Sequence, residues 1–268
     1  MVNDRTRYCH PERCRRIRYS KALRLRRGSF DKLRVTGTRR AHFHVRAAAA
    51  RWIVVALYAT GMAYVEAAAV LYLRTIYGGI DPVGPRQPHF DPLPDYVWIE
   101  IGREAATILM LAAVGYLAAT TLAGRIGAFA VAMGVWDIMY YVFLWLFAGW
   151  PSSPLAPDVL FLIPLPWWGP VLSPMLVAAV IVLAGAAAMA RELGDGLPRP
   201  KRGEVIAVLA GCGLCLLAFM ANALAELWRG GLEAAYYSRG GAFPWAIYAI
   251  GVLLGSGGLV RGLTRVTS

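Results

Sequence analysis

Residues 127–148 read GAFAVAMGVWDIMYYVFLWLFA, an apolar run whose one charged side chain is Asp137. A hydrocarbon core about 30 Å thick is crossed by about 20 helical residues rising 1.5 Å each, so a run of this length reads as a membrane span. An ionised group at that depth costs roughly 2.5–3.5 kcal/mol even on the gentler insertion scales. The stretch therefore predicts a transmembrane helix and a carboxylate that must be paired, protonated or put to use.

Five further runs have the same character: Arg51–Leu73, Val97–Leu122, Trp168–Ala190, Val205–Trp228 and Phe243–Leu259. Each is ended by charge, glycine or proline. With 58% hydrophobic and 16% charged residues, gathered in long blocks, the chain predicts an all-α polytopic bundle of six transmembrane helices over residues 50–262. A basic tail, residues 1–49, precedes it, and residues 263–268 follow as a short cytoplasmic tail. The connection 150–167, WPSSPLAPDVLFLIPLPW, is too apolar to stand in water and too rich in proline to be a span. It predicts an interfacial or re-entrant segment, with Trp150, Pro151, Pro166, Trp167, Trp168 and Pro170 as an interfacial gate.

The formal charge of +12 is confined to one region. Residues 1–49 hold 15 Lys+Arg against 3 Asp+Glu, and the remaining residues hold 13 of each sign. No nucleic-acid partner is expected of the bundle. The tail lacks apolar periodicity and cannot bury a core, so it is expected to be disordered or to lie along acidic headgroups. Its strings CHPERCRRI (9–17) and GSFDKLRVTG (28–37) resemble translated intergenic repeat DNA of the kind that precedes misassigned starts in bacterial genomes. The expectation is that residues 1 to about 40 are no part of the natural protein, with translation starting at a non-AUG codon such as that of Val35 or Val45. Arginine far outnumbers lysine, as in proteins of GC-rich bacteria.

Leaving the tail aside, Arg51, Arg125, Arg191, Arg199, Lys201, Arg202, Arg261 and Arg265 fall on one side of the alternating spans. Arg74, Arg86, Arg229 and Arg239 fall on the other. The positive-inside rule then predicts a bacterial inner membrane protein with both termini cytoplasmic. Trp145, Trp150, Trp167, Trp168, Trp228 and Trp245 are expected near the outer face as an aromatic belt.

Six polar side chains interrupt the spans: Glu66, Glu100, Arg103, Glu104, Asp137 and Glu226. Because successive helices alternate direction, Glu66, Glu104 and Asn222 share one outer layer about 10 Å deep at 1.5 Å per residue. Glu100 and Glu226 are shallower, and Asp137 is near the midplane. Glu100, Arg103 and Glu104 stand at i, i+3 and i+4, on one helical face where Arg103 can pair either neighbour. Tyr141 lies one turn from Asp137 and is expected to serve it as a phenol donor, with Tyr140 beside them. Arg74 is expected to be within reach of Glu100.

Two uses fit such groups. Carboxylates in bundles often hold helices together through Arg or Tyr. Against that, five acids share one arginine at depth, and the excess points to a site for protons, a metal ion or another small cation. Glu66, Glu104 and Asp137 would be the ligands of any metal.

No span contains histidine or lysine, which disfavours haem b ligation and a retinal Schiff base. Cys212 and Cys215 form a lone CxxC in a mid-span Ala- and Leu-rich helix, so packing is expected rather than structural zinc, while Cys9 and Cys14 fall in the tail. His89 reads as a loop residue, near Asp91 and Asp95. Gly124, Gly127, Gly134 and the run 251–258, GVLLGSGG, supply small faces for close helix packing. Nucleotide-loop, serine-hydrolase, zincin and EF-hand patterns are absent.

The blocks VEAAAVLYLR (65–74), EIGREAATILMLAAVGYLA (100–118), GVWDIMYYVFLWLFAGWP (134–151) and DVLFLIPLPWWGPVLSP (158–174) together resemble a bacterial group of polytopic integral membrane proteins of unknown function. The resemblance covers about residues 52–183. It implies that the polar residues in these blocks and the PWWGP turn belong to the group's pattern, and it brings no activity or ligand. The leading expectation is an integral membrane protein with a carboxylate-lined pocket near the periplasmic face, handling a cation or proton as a transporter or channel. In it Glu66, Glu104 and Asp137 would be the relay or ligands, Glu100 and Glu226 the vestibule, and Arg103 the internal counter-ion. Two other classes stay open: a membrane-embedded enzyme acting on a lipid or isoprenoid substrate, with the proline-rich segment as its gate, and a non-catalytic assembly subunit. The residues alone do not name the ligand, the reaction or the oligomeric state.

Overall fold

The structure, a computed structural model, describes residues 49–76, 96–192, 199–238 and 240–265. The tail, the 78–95 loop with Arg86, His89, Asp91 and Asp95, and Arg239 lie outside the described residues. The described chain is mostly helical. In order it comprises α1 (Ala49–Ile76), α2 (Tyr96–Ala118), α3 (Leu122–Ala148), β1 (Pro157–Phe161), β2 (Trp167–Pro170), α4 (Leu172–Glu192), α5 (Arg202–Tyr236) and α6 (Trp245–Thr264). Five of the helices, α1, α3, α4, α5 and α6, are long and apolar enough to cross a membrane. Their outward surfaces are apolar as well, with Leu57 66%, Leu183 73% and Leu253 72% exposed.

Helix ends follow local chemistry more closely than hydropathy. The apolar run 97–122 breaks after Ala118, and α3 begins at Leu122. Thr121 is the cause, since its extended backbone and its hydroxyl, which accepts from the Gly124 N–H at 3.0 Å, cap the new helix. At the other end of α3, Gly149 takes φ +67°, a left-handed conformation that glycine adopts without a Cβ clash, and its N–H bonds back to the Trp145 carbonyl at 2.8 Å. Helix α5 runs to Tyr236 rather than stopping at Trp228, and it kinks at Gly231, where φ is +81°.

The segment 150–167 is neither a helix nor a simple turn. Its second half forms an antiparallel β-hairpin with Trp167–Pro170, pairing Pro157 with Pro170, Asp158 with Gly169 and Val159 with Trp168. Trp168, expected to start the fourth span, is therefore a strand residue. Pro164, Pro166 and Pro170 each lack a helix-bonding N–H and bias the preceding residue to extended backbone, which disfavours helix through Gly169; Pro170 joins the ladder and α4 begins at Leu172. Pro157 and Pro170 stand opposite each other at the open end of the ladder, where a missing N–H is tolerated.

Polar contacts show that neighbouring helices alternate direction. At one end, Arg51 of α1 pairs with Glu192 at the end of α4 at 3.5 Å. Glu192 Oε1 accepts the N–H groups of Thr120 and Thr121 in the α2–α3 turn at 2.9 and 2.7 Å. Arg265, after α6, pairs with Glu204 at the start of α5. At the opposite end, Arg74 of α1 meets Asp158 of β1, and Tyr248 early in α6 donates to the Ser173 carbonyl at the start of α4 at 2.6 Å.

Small residues permit the tightest crossings. A Cβ on Gly127 would lie 2.8 Å from the Ala188 Cβ and 2.9 Å from the Gly185 carbonyl, so α3 and α4 touch through backbone. Gly211 and Gly251 do the same for α5 and α6. The main apolar core joins Val55, Ala59 and Ala63 of α1 to Leu111 of α2 and to Val131, Ala132 and Trp136 of α3.

The hairpin inserts between these helices. Phe161 packs edge-on against Trp136, with ring centroids 6.1 Å apart. Trp136 stands 12 residues before the end of α3 at Ala148, about 18 Å along the helix at 1.5 Å per residue. Trp167 stacks on Phe219 of α5, at 6.0 Å and 3°.

Candidate functional site

Arg103 lies one turn from Glu100 on α2, and its guanidinium reaches Glu100 Oε2 through Nε at 2.8 Å and Nη2 at 2.7 Å. Its Nη1 pairs with Glu66 Oε1 of α1, and Thr107 Oγ1 donates to Glu66 Oε2 at 3.3 Å. One arginine thus joins two carboxylates on two helices, as its i, i+3 spacing from Glu100 permits. Of its two expected partners on α2, Arg103 takes Glu100 and leaves Glu104.

Glu104, 7% exposed, has a different task. Its Oε2 accepts the Leu162 N–H at the hairpin tip at 2.9 Å. The tip backbone is held from its other side by Tyr236 at the end of α5, whose hydroxyl donates to the Pro164 carbonyl at 3.2 Å and the Leu162 carbonyl at 3.4 Å.

The most enclosed charge is Asp158 of β1, which is 0% exposed. Arg74 Nη2 lies 2.7 Å from its Oδ1, and Tyr141 donates to its Oδ2 at 3.1 Å. The Arg74 guanidinium also sits 4.3 Å over the Trp150 ring. One expectation is corrected here: Tyr141 donates to Asp158 rather than Asp137. Arg74, expected within reach of Glu100, pairs with Asp158. Asp158 was not among the sequence-derived site residues. Its signal was legible as the one charge of a proline-rich apolar segment.

Asp137 is partly buried and within electrostatic range of Asp158, but it makes no hydrogen bond or ion pair among the described residues. It lies 15 residues after Leu122 and 11 before Ala148, so it is about 16–22 Å from either end of α3 at 1.5 Å per residue.

The remaining candidates are dispersed. Glu226 pairs with Arg229 at 2.8 Å on the surface of α5, a contact worth at most about 1 kcal/mol. Asn222 lies against the α5–α6 connection, where a Cβ on Gly241 would come 2.9 Å from its Oδ1. Among the described residues no three His, Cys, Asp or Glu side chains converge to hold a metal ion, so Glu66, Glu104 and Asp137 do not form a metal centre there. Cys215 packs its sulfur against Gly251, and Cys212 is exposed.

Of the expected gate, Pro166 is at the hairpin turn, and Pro151 follows Trp150 through a cis peptide bond. Trp150 and Trp168 are buried and Trp167 is half-buried, so these three do not join the outer belt; Trp145, Trp228 and Trp245 keep exposed faces. The hairpin carries Trp167 and Trp168 into the bundle, and Trp150, just after α3, is covered by Tyr141 and the Arg74 guanidinium. Trp168 and Pro170 instead line a cavity of ≈ 280 Å³ between the hairpin and the α5–α6 connection.

The arrangement fixes a β-hairpin among helices by three polar anchors, Asp158, Glu104 and Tyr236, and leaves the mid-helix carboxylate of Asp137 without a hydrogen bond or ion pair among the described residues. Compared with known proteins, the chain matches no family model, no curated protein and no solved structure.

Proposed function

We propose that the chain is a six-span bacterial inner membrane protein that handles a proton or small cation at Asp137, beneath a re-entrant hairpin that closes its periplasmic half. Helix α2 is the sixth crossing, since its 23 residues extend about 34 Å at 1.5 Å per residue. Its charges face partners within the bundle, as an intramembrane charge requires. The cytoplasmic assignment of both ends rests on the arginines of one end, where Arg51 pairs with Glu192, Arg191 donates to the Arg265 carbonyl and Arg265 to the Arg199 carbonyl.

The observation that carries the functional reading is the isolation of Asp137. Glu66, Glu100, Glu104, Asp158 and Glu226 all have donors. Asp137 has none among the described residues, and its charged neighbour Asp158 is of the same sign. A carboxylate so placed is neutralised by a proton or a cation. Tyr141 and Asp158 then form the outward continuation of a relay.

The test is carbodiimide modification followed by peptide mass mapping, together with proton uptake by vesicles loaded with a pH-sensitive dye. The proposal expects an adduct on Asp137 and a proton or cation flux that Asp137→Asn abolishes and Glu226→Gln leaves intact. An unmodified Asp137, with flux equal in wild type and Asp137→Asn, would refute it. The assembly-subunit reading draws on the pairing of the other carboxylates, of which Glu66, Glu104 and Asp158 tie two elements together and Glu100 and Glu226 pair within their own helices. It expects no flux and unchanged complementation in Asp137→Asn.

A further inference from the structure

We infer that the cleft between the hairpin and the α5–α6 connection holds one acyl chain of a bilayer phospholipid. One wall is Leu155, Pro157, Trp168 and Pro170, and the other is Phe243 and Trp245 with the backbone of Gly240 and Gly241. Among the described residues no charged side chain lines the cleft. Its volume of ≈ 280 Å³ falls just below the ~300–1,000 Å³ usual for small-molecule pockets and has room for the terminal part of one slender chain.

Depth selects the occupant. Gly169, in the cleft wall, packs against the Phe219 ring, to which a Cβ would approach within 3.2 Å. Phe219 stands 17 residues after the start of α5 at Arg202, about 26 Å along a helix that crosses a hydrocarbon core of about 30 Å. The inner wall is therefore at acyl-chain depth. The rim residues Leu155 and Trp245 are 62% and 41% exposed, so the mouth opens toward the surrounding medium. Water in such a cleft finds few partners, and an empty cleft forfeits the dispersion contacts of its lining. A chain from the adjacent leaflet satisfies both conditions.

Gly240 lets the α5–α6 connection pack directly on the hairpin wall of the cleft, because a Cβ there would stand 2.8 Å from Trp168 Cε3 and displace that ring. The full chain is reconstituted in phosphatidylethanolamine and phosphatidylglycerol vesicles doped with a phospholipid carrying a diazirine near its chain terminus. After photolysis, peptides are mapped by mass spectrometry. Adducts on Trp168, Phe243 and Trp245 are expected several-fold above those on the lipid-facing Leu57 and Leu183. Gly240→Val and the rim variant Leu155→Trp are each expected to lower cleft labelling several-fold while helix labelling stays constant. Leu155→Trp carries the variant arm should Gly240→Val fail to fold. Labelling spread evenly over the exposed helices overturns the inference. So does labelling that persists in a folded filled variant, or a cleft labelled by a diazirine polyprenyl phosphate and not by the acyl probe.

Discussion

Replacing Arg74 by Met is the sharpest probe of the hairpin's seat. The substitution keeps an unbranched aliphatic stem, shorter than arginine, and removes the charge, stranding an Asp158 carboxylate that is 0% exposed. At the 2.7 Å contact, attraction at an effective dielectric near 20 is at least the ~4 kcal/mol expected at 4 Å. Loss of one member of a buried pair typically costs about 3–5 kcal/mol. The cation over the Trp150 ring adds about 0.5–2 kcal/mol. Asp158→Asn alone removes the same attraction but leaves a neutral side chain that can still accept from Tyr141, so it should cost less. The double variant should cost well below the sum of the two, with a coupling energy in the 0.5–3 kcal/mol range seen for contacting residues. The assay is reversible unfolding in mixed detergent micelles, run as a double-mutant cycle, with hydrogen exchange at Val159 and Leu160 as a local readout. An Arg74→Met cost below about 1 kcal/mol, or strict additivity, would show that the pair does not seat the hairpin.

Other expectations follow from single contacts. Glu104→Ala should leave the Leu162 N–H without its acceptor and cost about 1–3 kcal/mol, whereas Glu104→Gln keeps an acceptor and should unfold within about 1 kcal/mol of wild type. Tyr236→Phe frees the Leu162 and Pro164 carbonyls and should raise exchange of the hairpin-tip amides about fivefold, the equivalent of ~1 kcal/mol, without changing global unfolding by more than that. Gly211→Val drives a side chain into the backbone of Gly251 and Gly255, and thermal unfolding should register a loss of about 1–3 kcal/mol or more. Glu192→Ala removes the acceptor for two amides at the start of α3 and its link to Arg51, for about 1–3 kcal/mol, measured in the same micelles.

The helices were legible because lipid punishes unpaired backbone and charge so heavily that span length, apolar content and interruption are written into every crossing. The expected runs fall on the observed helices, and the errors sit at the ends. Thr121 caps α3 three residues past the end of α2 at Ala118, and α4 starts only at Leu172, after Pro170 in the strand. The close-packing glycines were legible for the same reason, since a backbone crossing such as Gly127 on Gly185 admits nothing larger. The polar pairings were legible only in part. Arg103 and Glu100 share a helix, so spacing predicts them. Arg103 with Glu66, and Arg74 with Asp158, join residues 37 and 84 positions apart.

Sequence alone thus determined that this chain is built of apolar helices carrying buried charge, because the cost of taking backbone and charge out of water acts residue by residue. Tertiary structure alone decided which charges are partners across elements. It folded an apolar, proline-rich connection into a hairpin, sent that hairpin among the helices, and thereby supplied Glu104 with a backbone donor and Asp158 with Arg74 and Tyr141. A carboxylate's partner is set by which elements meet at its depth, and no local pattern records that meeting. The arithmetic of five acids to one arginine accordingly becomes a set of paired anchors with Asp137 standing apart.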